Sequence, residues 1–381
     1  MAEVETMKLQ MVDLITQYRS IKPEIDEAVR NVLESGQYIL GKTVDDFERA
    51  IASYLGVKHA IGCASGTDAL QVALMALGVK PGDEIITTPF TFVATTETIV
   101  LLGAIPVYVD IDPVSYNIDP SKIEPAITKR TKAILPVHLY GHSAEMDSIR
   151  EISRKHRIPI VEDAAQAMGA EYKGKKIAGL GDLGAISFFP SKNLGAYGDA
   201  GMVVTNDDRL AELARMIIVH GSRVRYKHEV LGVNSRLDAL QAAMLNVKLK
   251  YLDRWNEARR SSAERYNTLL AGHDIVIPTQ ADYAYHIFHQ YTIRLKNRDA
   301  IARVLSEKSI PHAVYYPIPL HLQEAFTSVG KPKGSFPITE QATDEVLSLP
   351  MHSELTENQQ QYIVDTLLKA VEHATSSQKM R

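Results

Sequence analysis

The sequence predicts an α/β protein: a mainly parallel, seven-stranded sheet covered by helices, followed by a smaller α+β unit. Three observations lead there: seven short apolar runs between residues 59 and 205, amphipathic stretches between several of them, and a change of pattern near Asn234. The runs are 59–63, 84–88, 105–110, 133–138, 158–162, 185–189 and 202–205. Each is short, rich in β-branched residues and apolar on both faces, as a strand covered on both sides must be. Stretches 67–77, 93–102 and 146–155 carry apolar residues at helical spacing. Alternating strands and helices make a mainly parallel sheet. Ligands then bind beyond the carboxyl ends of the strands, so polar residues at those ends are the first candidates for function.

The second regime begins at Asn234. Leu237, Leu240, Met244, Val247, Tyr251, Trp255 and Ala258 recur at three- and four-residue steps, with no proline or glycine until Gly272. This predicts one helix from 234 to 270, roughly 50 Å long at about 1.5 Å per residue, joining two domains. Beyond it we expect a strand at 289–295, a helix at 299–308, a proline-rich turn at 315–320, and a last helix from 357 to about 375 followed by a frayed tail. The resulting division is an N-terminal segment 1–20, a large domain 21–255 and a small domain 256–381. Met7 is a possible natural start.

Composition narrows the function classes. Hydrophobic residues at 45% and charged residues at 23% are ordinary for a globular chain. A net charge of −4 gives no case for nucleic acid, which calls for a basic stripe. Cys63 is the single cysteine, so no internal disulfide or cysteine-ligated cluster can form, and a reducing, cytoplasmic setting is expected. No uninterrupted apolar run approaches 18 residues, so no membrane span is expected. The histidines show no metal-ligand spacing, and His138 reads as a satisfied core histidine.

One motif misleads. Residues 179–184 read GLGDLG, a literal dinucleotide fingerprint. Such a fingerprint must follow a strand and open a helix, whereas this one follows a polar stretch and precedes a strand. Its glycines are expected to make a turn, which argues against a nucleotide-binding oxidoreductase.

The chemistry gathers at strand ends. In SGTDAL (65–70), Gly66 and Thr67 open a helix whose first amides suit a phosphate, although an ordinary Ser/Thr cap looks the same. IVEDAAQ (160–166) ends a buried strand on Asp163, and FFPSKN (188–193) puts Lys192 after another. Burial lowers a lysine pKa, and only a neutral amine attacks an aldehyde to form a Schiff base. Asp163 would then keep a pyridine nitrogen protonated, making the ring an electron sink. A snorkelling loop lysine is the alternative for Lys192. Phe92 could stack on a cofactor ring or fill core, and Gln166 and Ser187 could bond cofactor or local backbone.

In that order these segments resemble a family. FERAIASYLGVKHAIGCASGTDAL, AILPVHLYGHSAEMDSI, IPIVEDAAQAMGA, ISFFPSKNLGAYGDAGMVVTND, HGSRVRYKHEVLGVNSRLDALQAAML and YYPIPLHLQ are similar to the DegT/DnrJ/StrS sugar aminotransferases, over nearly the whole chain from about residue 8. The resemblance implies a fold type I, aspartate aminotransferase-like large domain that binds pyridoxal 5′-phosphate. It makes Lys192 the Schiff-base lysine and Asp163 the pyridinium partner. Phe92 would stack on the ring, Gln166 touch the ring or its hydroxyl, and Gly66, Thr67 and Ser187 hold the phosphate. Asn234 would complete the phosphate site of a neighbouring subunit, implying a homodimer with shared active sites. Tyr316 and His321 would lie near the sugar nucleotide.

A dehydratase branch of the family replaces the lysine by histidine, and here Lys192 is present. NLGAYGDAG after the lysine looks like members that aminate C3 of a nucleotide-linked ketosugar, with glutamate as donor. The substrate expected is a UDP-linked 2-acetamido-3-keto-glucuronate, with a dTDP-linked 3-keto-6-deoxyhexose as the alternative. The discriminator is C6, where a carboxylate wants donors and a methyl an apolar wall. Arg223, Arg225, Lys227 and His228 could supply those donors or form a solvated loop. A non-catalytic regulator that binds pyridoxal phosphate is the alternative of another class.

Overall fold

A computed structural model describes residues 9–379. All seven predicted strands form: β1 (His59–Cys63), β2 (Glu84–Thr87), β3 (Ile105–Tyr108), β4 (Thr131–Ile134), β5 (Val161–Asp163), β6 (Leu183–Ser187) and β7 (Gly201–Thr205). They join one sheet in the order β3-β2-β4-β5-β6-β7-β1, with parallel bridges Ile134↔Ile160 and Val137↔Asp163 tying β4 to β5. Of the seven, β7 runs against the rest, pairing antiparallel with both β6 and β1. The sheet is mainly parallel, as predicted.

Why these runs are apolar throughout is visible in the packing. Successive strand residues point to opposite faces. Ile85, Ala185 and Val203 enter one core with Ile61, Leu70 and Ile217, whereas Ile86, Ile186 and Val204 enter another with Phe47 and Ile51. Helices α4 (Gly66–Ala76) and α7 (Asp208–Ile217) cover the first face, and α3 (Lys42–Leu55) covers the second, with Phe47 edge-on to Phe188 at 5.4 Å. Helices α1 (Leu14–Ser20) and α2 (Lys22–Ser35) precede them, and α5 (Val93–Leu101) and α6 (Met146–His156) fall where the pattern predicts helices.

The single long helix is not observed. Residues 234–237 are extended: Asn234 bridges to Val219, and the Ser235 hydroxyl accepts from Ala64 N and donates to Asp68. Helix α8 (Ala239–Leu249) then breaks before α9 (Leu252–Leu270). The break is a tight turn in which Tyr251 N donates to Lys248 O at 3.0 Å, one residue short of the α-helical step. Buried side chains hold it. The Lys248 amine reaches the carbonyl of Gly195, and Tyr251 stacks on Trp255 while its hydroxyl donates to Glu24.

A third core follows. Strands β8 (Tyr291–Arg294) and β9 (Val346–Leu349) pair antiparallel, and α9, α10 (Arg298–Glu307) and α12 (Glu357–Lys379) pack around them. Helix α11 (Pro337–Glu345) is fastened back to the main sheet, because Asp110 accepts from the amides of Ile338 and Thr339. Helix α12 continues to Lys379, past the expected end near 375. The Met7 reading lies outside the described residues.

Residues 179–182 form the expected turn, in which Leu180 N and Gly181 N both donate to Glu162 Oε1 at 2.7 Å, and 183–184 already belong to β6. Glu162 Oε2 accepts from His138 Nε2 at 2.9 Å, and His138 Nδ1 accepts from Ala144 N at 3.0 Å, so this histidine is a satisfied core residue. Among the described residues no helix is long and apolar enough to cross a membrane.

Candidate active site

Parallel strands deliver their following loops to one edge, and a cavity of about 490 Å³ opens there. Gly66, Thr67, Phe92, Asp163, Gln166, Ser187, Lys192 and Tyr316 all line it.

The end of β1 turns into α4 at Ser65, whose hydroxyl caps the helix by accepting from Asp68 N at 3.1 Å. The amides of Gly66 and Thr67 have no acceptor within their own helix, and they carry the positive end of its dipole. A Cβ on Gly66 would fall 2.4 Å from Ser187 Cβ and 2.9 Å from its hydroxyl. Glycine is therefore what lets the helix end and β6 approach closely enough to form a narrow polar cradle.

Asp163, at the carboxyl end of β5, is buried. Its Oδ2 accepts from Thr95 Oγ1 at 2.8 Å and its Oδ1 from Ala165 N at 3.2 Å. Burial pushes its pKa up, against the pull of those two bonds and of the Lys192 charge. Lys192 sits in the loop after β6, its N–H bonded to Phe189 O at 2.8 Å. Its surroundings lower the amine to about 8, with Asp163 pulling the other way. Such an amine is partly neutral near physiological pH, whereas a solvated lysine is not.

Phe92 caps α5 and keeps 53% of its surface free although it lies in a cavity wall. Its ring is 6.2 Å from that of Tyr316, tilted by 43°. Gln166 is held at both ends: Oε1 accepts from Tyr140 N at 2.9 Å and Nε2 donates to the Tyr316 hydroxyl at 2.7 Å.

The other expected residues lie elsewhere in the chain. His321 is buried with Nε2 on Glu340 at 3.1 Å, and it does not line the cavity. Arg223 pairs with Glu212 at 3.1 Å, and His228 Nδ1 donates to His220 O at 2.7 Å; both belong to the hairpin of Ser222–Val224 and Lys227–His228. Asn234 is exposed and does not line its own chain's cavity. Conversely, Thr91, Thr95, His289, Gln290 and Tyr315 line the cavity without having been anticipated. Thr91 and Thr95 stand one helical turn apart and their hydroxyls meet at 3.0 Å, a spacing open to view in the sequence.

This is the fold of the fold type I pyridoxal-phosphate-dependent aminotransferases, and its strand-end lysine and carboxylate share one cavity. The chain belongs to the DegT/DnrJ/EryC1/StrS aminotransferase family, whose model matches residues 19–368. It is 52% identical over 370 residues to a "pleiotropic regulatory protein" of Geobacillus stearothermophilus, covering 96% of this chain and 100% of that protein. It is 49% identical over 344 residues to the UDP-2-acetamido-2-deoxy-3-oxo-D-glucuronate aminotransferase of Pseudomonas aeruginosa, covering 90% of this chain and 95% of that one. The crystal structure of S. venezuelae DesV in complex with a ketimine intermediate superposes with a TM-score of 0.93 at 42% identity, covering 96% of this chain and 99% of DesV.

Pyridoxal phosphate has three features to satisfy, and the donor set meets each. A phosphate suits the Gly66–Ser187 cradle at a helix N-terminus. A protonated ring nitrogen suits Asp163, whose burial is costly without a cation nearby. An aldehyde suits the lowered amine of Lys192.

Proposed function

We propose that this enzyme transfers an amino group from glutamate to C3 of a nucleotide-linked ketosugar, with UDP-2-acetamido-2-deoxy-3-keto-glucuronate as the substrate. The observation that carries the reading is the 49% identity with an enzyme named for that sugar, in a chain whose lysine, carboxylate and phosphate cradle share one cavity.

When bound, pyridoxal phosphate supplies an aldehyde that condenses with amines and a ring that accepts electrons from the bond being broken. The chain's own residues do the rest. The amides of Gly66 and Thr67 and the Ser187 hydroxyl hold the phosphate. Asp163, kept in place by Thr95, holds the proton on the ring nitrogen. Phe92 lies against the ring, and Gln166, immobilised between Tyr140 and Tyr316, fixes its edge. Lys192 Nζ is the covalent tether. Once freed, it takes the proton from the donor's α-carbon, and in the second half-reaction it delivers a proton to C3 of the sugar.

Within this reading the active unit is a homodimer. Asn234 reaches the phosphate site of the neighbouring subunit, which fits its being exposed and not lining its own chain's cavity. Among the described residues the cavity lining of one chain contains no arginine, and Lys192 is its lysine. Cationic donors for a sugar C6 carboxylate would come from the hairpin that carries Arg223 and His228, while Tyr316 and the nearby His321 segment border the sugar nucleotide. The enzyme works in the cytoplasm, and its amino sugar enters surface polysaccharide such as lipopolysaccharide.

A second reading, a regulator that binds the cofactor without turnover, has the description of the Geobacillus relative in its favour. Release of 2-oxoglutarate from glutamate separates the two. The substrate is tested by kcat/KM for the UDP-linked 3-keto-glucuronate against a dTDP-linked 3-keto-6-deoxyhexose. A site built for the carboxylate rejects the methyl analogue strongly, because its buried donors are left unpaired. A preference for the 6-deoxy sugar overturns the choice of substrate.

A further inference from the structure

His289 lines the cavity with Lys192, and its hydrogen bonding determines which of its nitrogens carries the proton. The deduction starts from a backbone carbonyl, which can only accept. Asn256 Nδ2 donates to Met168 O at 3.2 Å, so Asn256 Oδ1 is an acceptor. Asn193 Nδ2 must then be the donor in its 2.6 Å contact with Asn256 Oδ1, and a second carbonyl, Ile287 O at 3.4 Å, agrees with that orientation. This leaves Asn193 Oδ1 facing His289 Nδ1 at 3.0 Å, and that nitrogen must donate.

A neutral imidazole has one N–H, so Nε2 of His289 is left with a lone pair. His289 is buried, and burial pushes its pKa well down. The neighbouring groups add to this: Lys192, which lines the same cavity, Arg259 of α9, whose guanidinium also binds the carbonyls of Phe288, His289 and Met351, and His286 on its own segment. The ring therefore stays neutral. Among the described residues Nε2 makes no hydrogen bond. Asn193, which sets this tautomer, directly follows Lys192 in the chain.

We infer that His289 is a positioning residue for Lys192: its Nδ1 proton is locked onto Asn193, and its open Nε2 lone pair is the neutral acceptor to which the Lys192 amine turns as the cofactor is captured. This rests on the reading above in which Lys192 is the covalent tether. A primary amine steadied through one N–H during capture keeps its own lone pair directed instead of sampling many rotamers. The acceptor is also uncharged, so it orients the amine without adding the negative charge that would hold it protonated.

The test uses the cofactor-free protein. Pyridoxal phosphate is added, and its condensation with the lysine, which releases water, is followed in time; borohydride then fixes the adduct for peptide mapping. His289→Met is expected to slow capture at Lys192 at least tenfold, and His289→Gln, which returns an acceptor at similar reach, to recover to within about threefold of wild type. Capture by His289→Met at the wild-type rate overturns the inference, as does equal slowing in both variants, since the ring would then only fill space. An adduct mapped to another lysine overturns the tether reading itself and is distinguishable from both. Nitrogen NMR of histidine-labelled wild-type protein needs no variant to fold. The expected spectrum has a neutral His289 protonated on Nδ1 at neutral pH, and protonation on Nε2 or on both nitrogens contradicts the inference.

Discussion

The carboxyl of Asp163 and the amine of Lys192 share one cavity and hold each other's protonation in check. Burial drives the acid up and the amine down to about 8, while each charge pulls the other back. That balance leaves a cation-seeking carboxylate and a partly neutral amine in the same small space.

Lys192→Ala should bind pyridoxal phosphate without a covalent link, lose the visible band of the tethered cofactor and fall to background turnover. The spectrum of the purified variant and a borohydride-trapping experiment check this. Adduct formation at another lysine would reassign the tether.

Asp163→Asn should fold and lose about a hundredfold in single-turnover rate with glutamate, equivalent to about 2.7 kcal/mol of transition-state stabilisation. An amide cannot keep the ring nitrogen protonated. A rate within a few-fold of wild type would make Asp163 structural only.

The same variant makes a stability prediction with a definite sign. The folded-state pKa of Asp163 is raised, so the native chain binds more protons than the unfolded chain between the two values. Its contribution to stability is therefore fully present below the unfolded pKa and is lost as pH rises through the folded one. Cofactor-free Asp163→Asn should melt higher than wild type at neutral pH, and the gap should close on acidification. A melting point below wild type at neutral pH would contradict the cost assigned to burying this carboxylate.

Thr95→Val removes a donor that favours the charged form of Asp163. Its pKa should rise further, moving the acid limb of the pH–rate profile to higher pH and lowering the rate near neutrality by about tenfold, or roughly 1.4 kcal/mol. An unmoved acid limb would mean that Asp163 does not govern it.

Asn234→Ala should be severely impaired alone yet regain activity when mixed with Lys192→Ala. In the heterodimer both defects fall in one site and the other site is intact. No recovery after verified subunit exchange counts against a shared site.

Much of this was legible in the sequence, for physical reasons. Strands such as Ile85–Ile86 and Val203–Val204 are buried on both faces, so their uninterrupted apolar runs mark them plainly. Seven expected site residues meet in one cavity because a mainly parallel sheet sends its loops to a common edge, and Tyr316 joins them from the segment after α10. The helix expected across 234–270 was misread because its periodicity runs through the break. What ends α8 is tertiary: a buried Lys248 bonded to Gly195 and a Tyr251 anchored to Glu24, neither close in sequence. His289 and Gln290 were likewise invisible, since nothing local indicates that the chain there returns to the mouth of the sheet. His321 shows the opposite failure. Its neighbour Tyr316 enters the cavity, while its own ring turns to Glu340.

The most direct test of the whole account is a single turnover in which enzyme preloaded with isotopically labelled glutamate, and freed of the keto acid, meets UDP-2-acetamido-2-deoxy-3-keto-glucuronate. The account predicts about one labelled 3-amino sugar per active site from the wild type and none from Lys192→Ala. Absence of label in the sugar with the wild type, or equal transfer by the lysine variant, would contradict it.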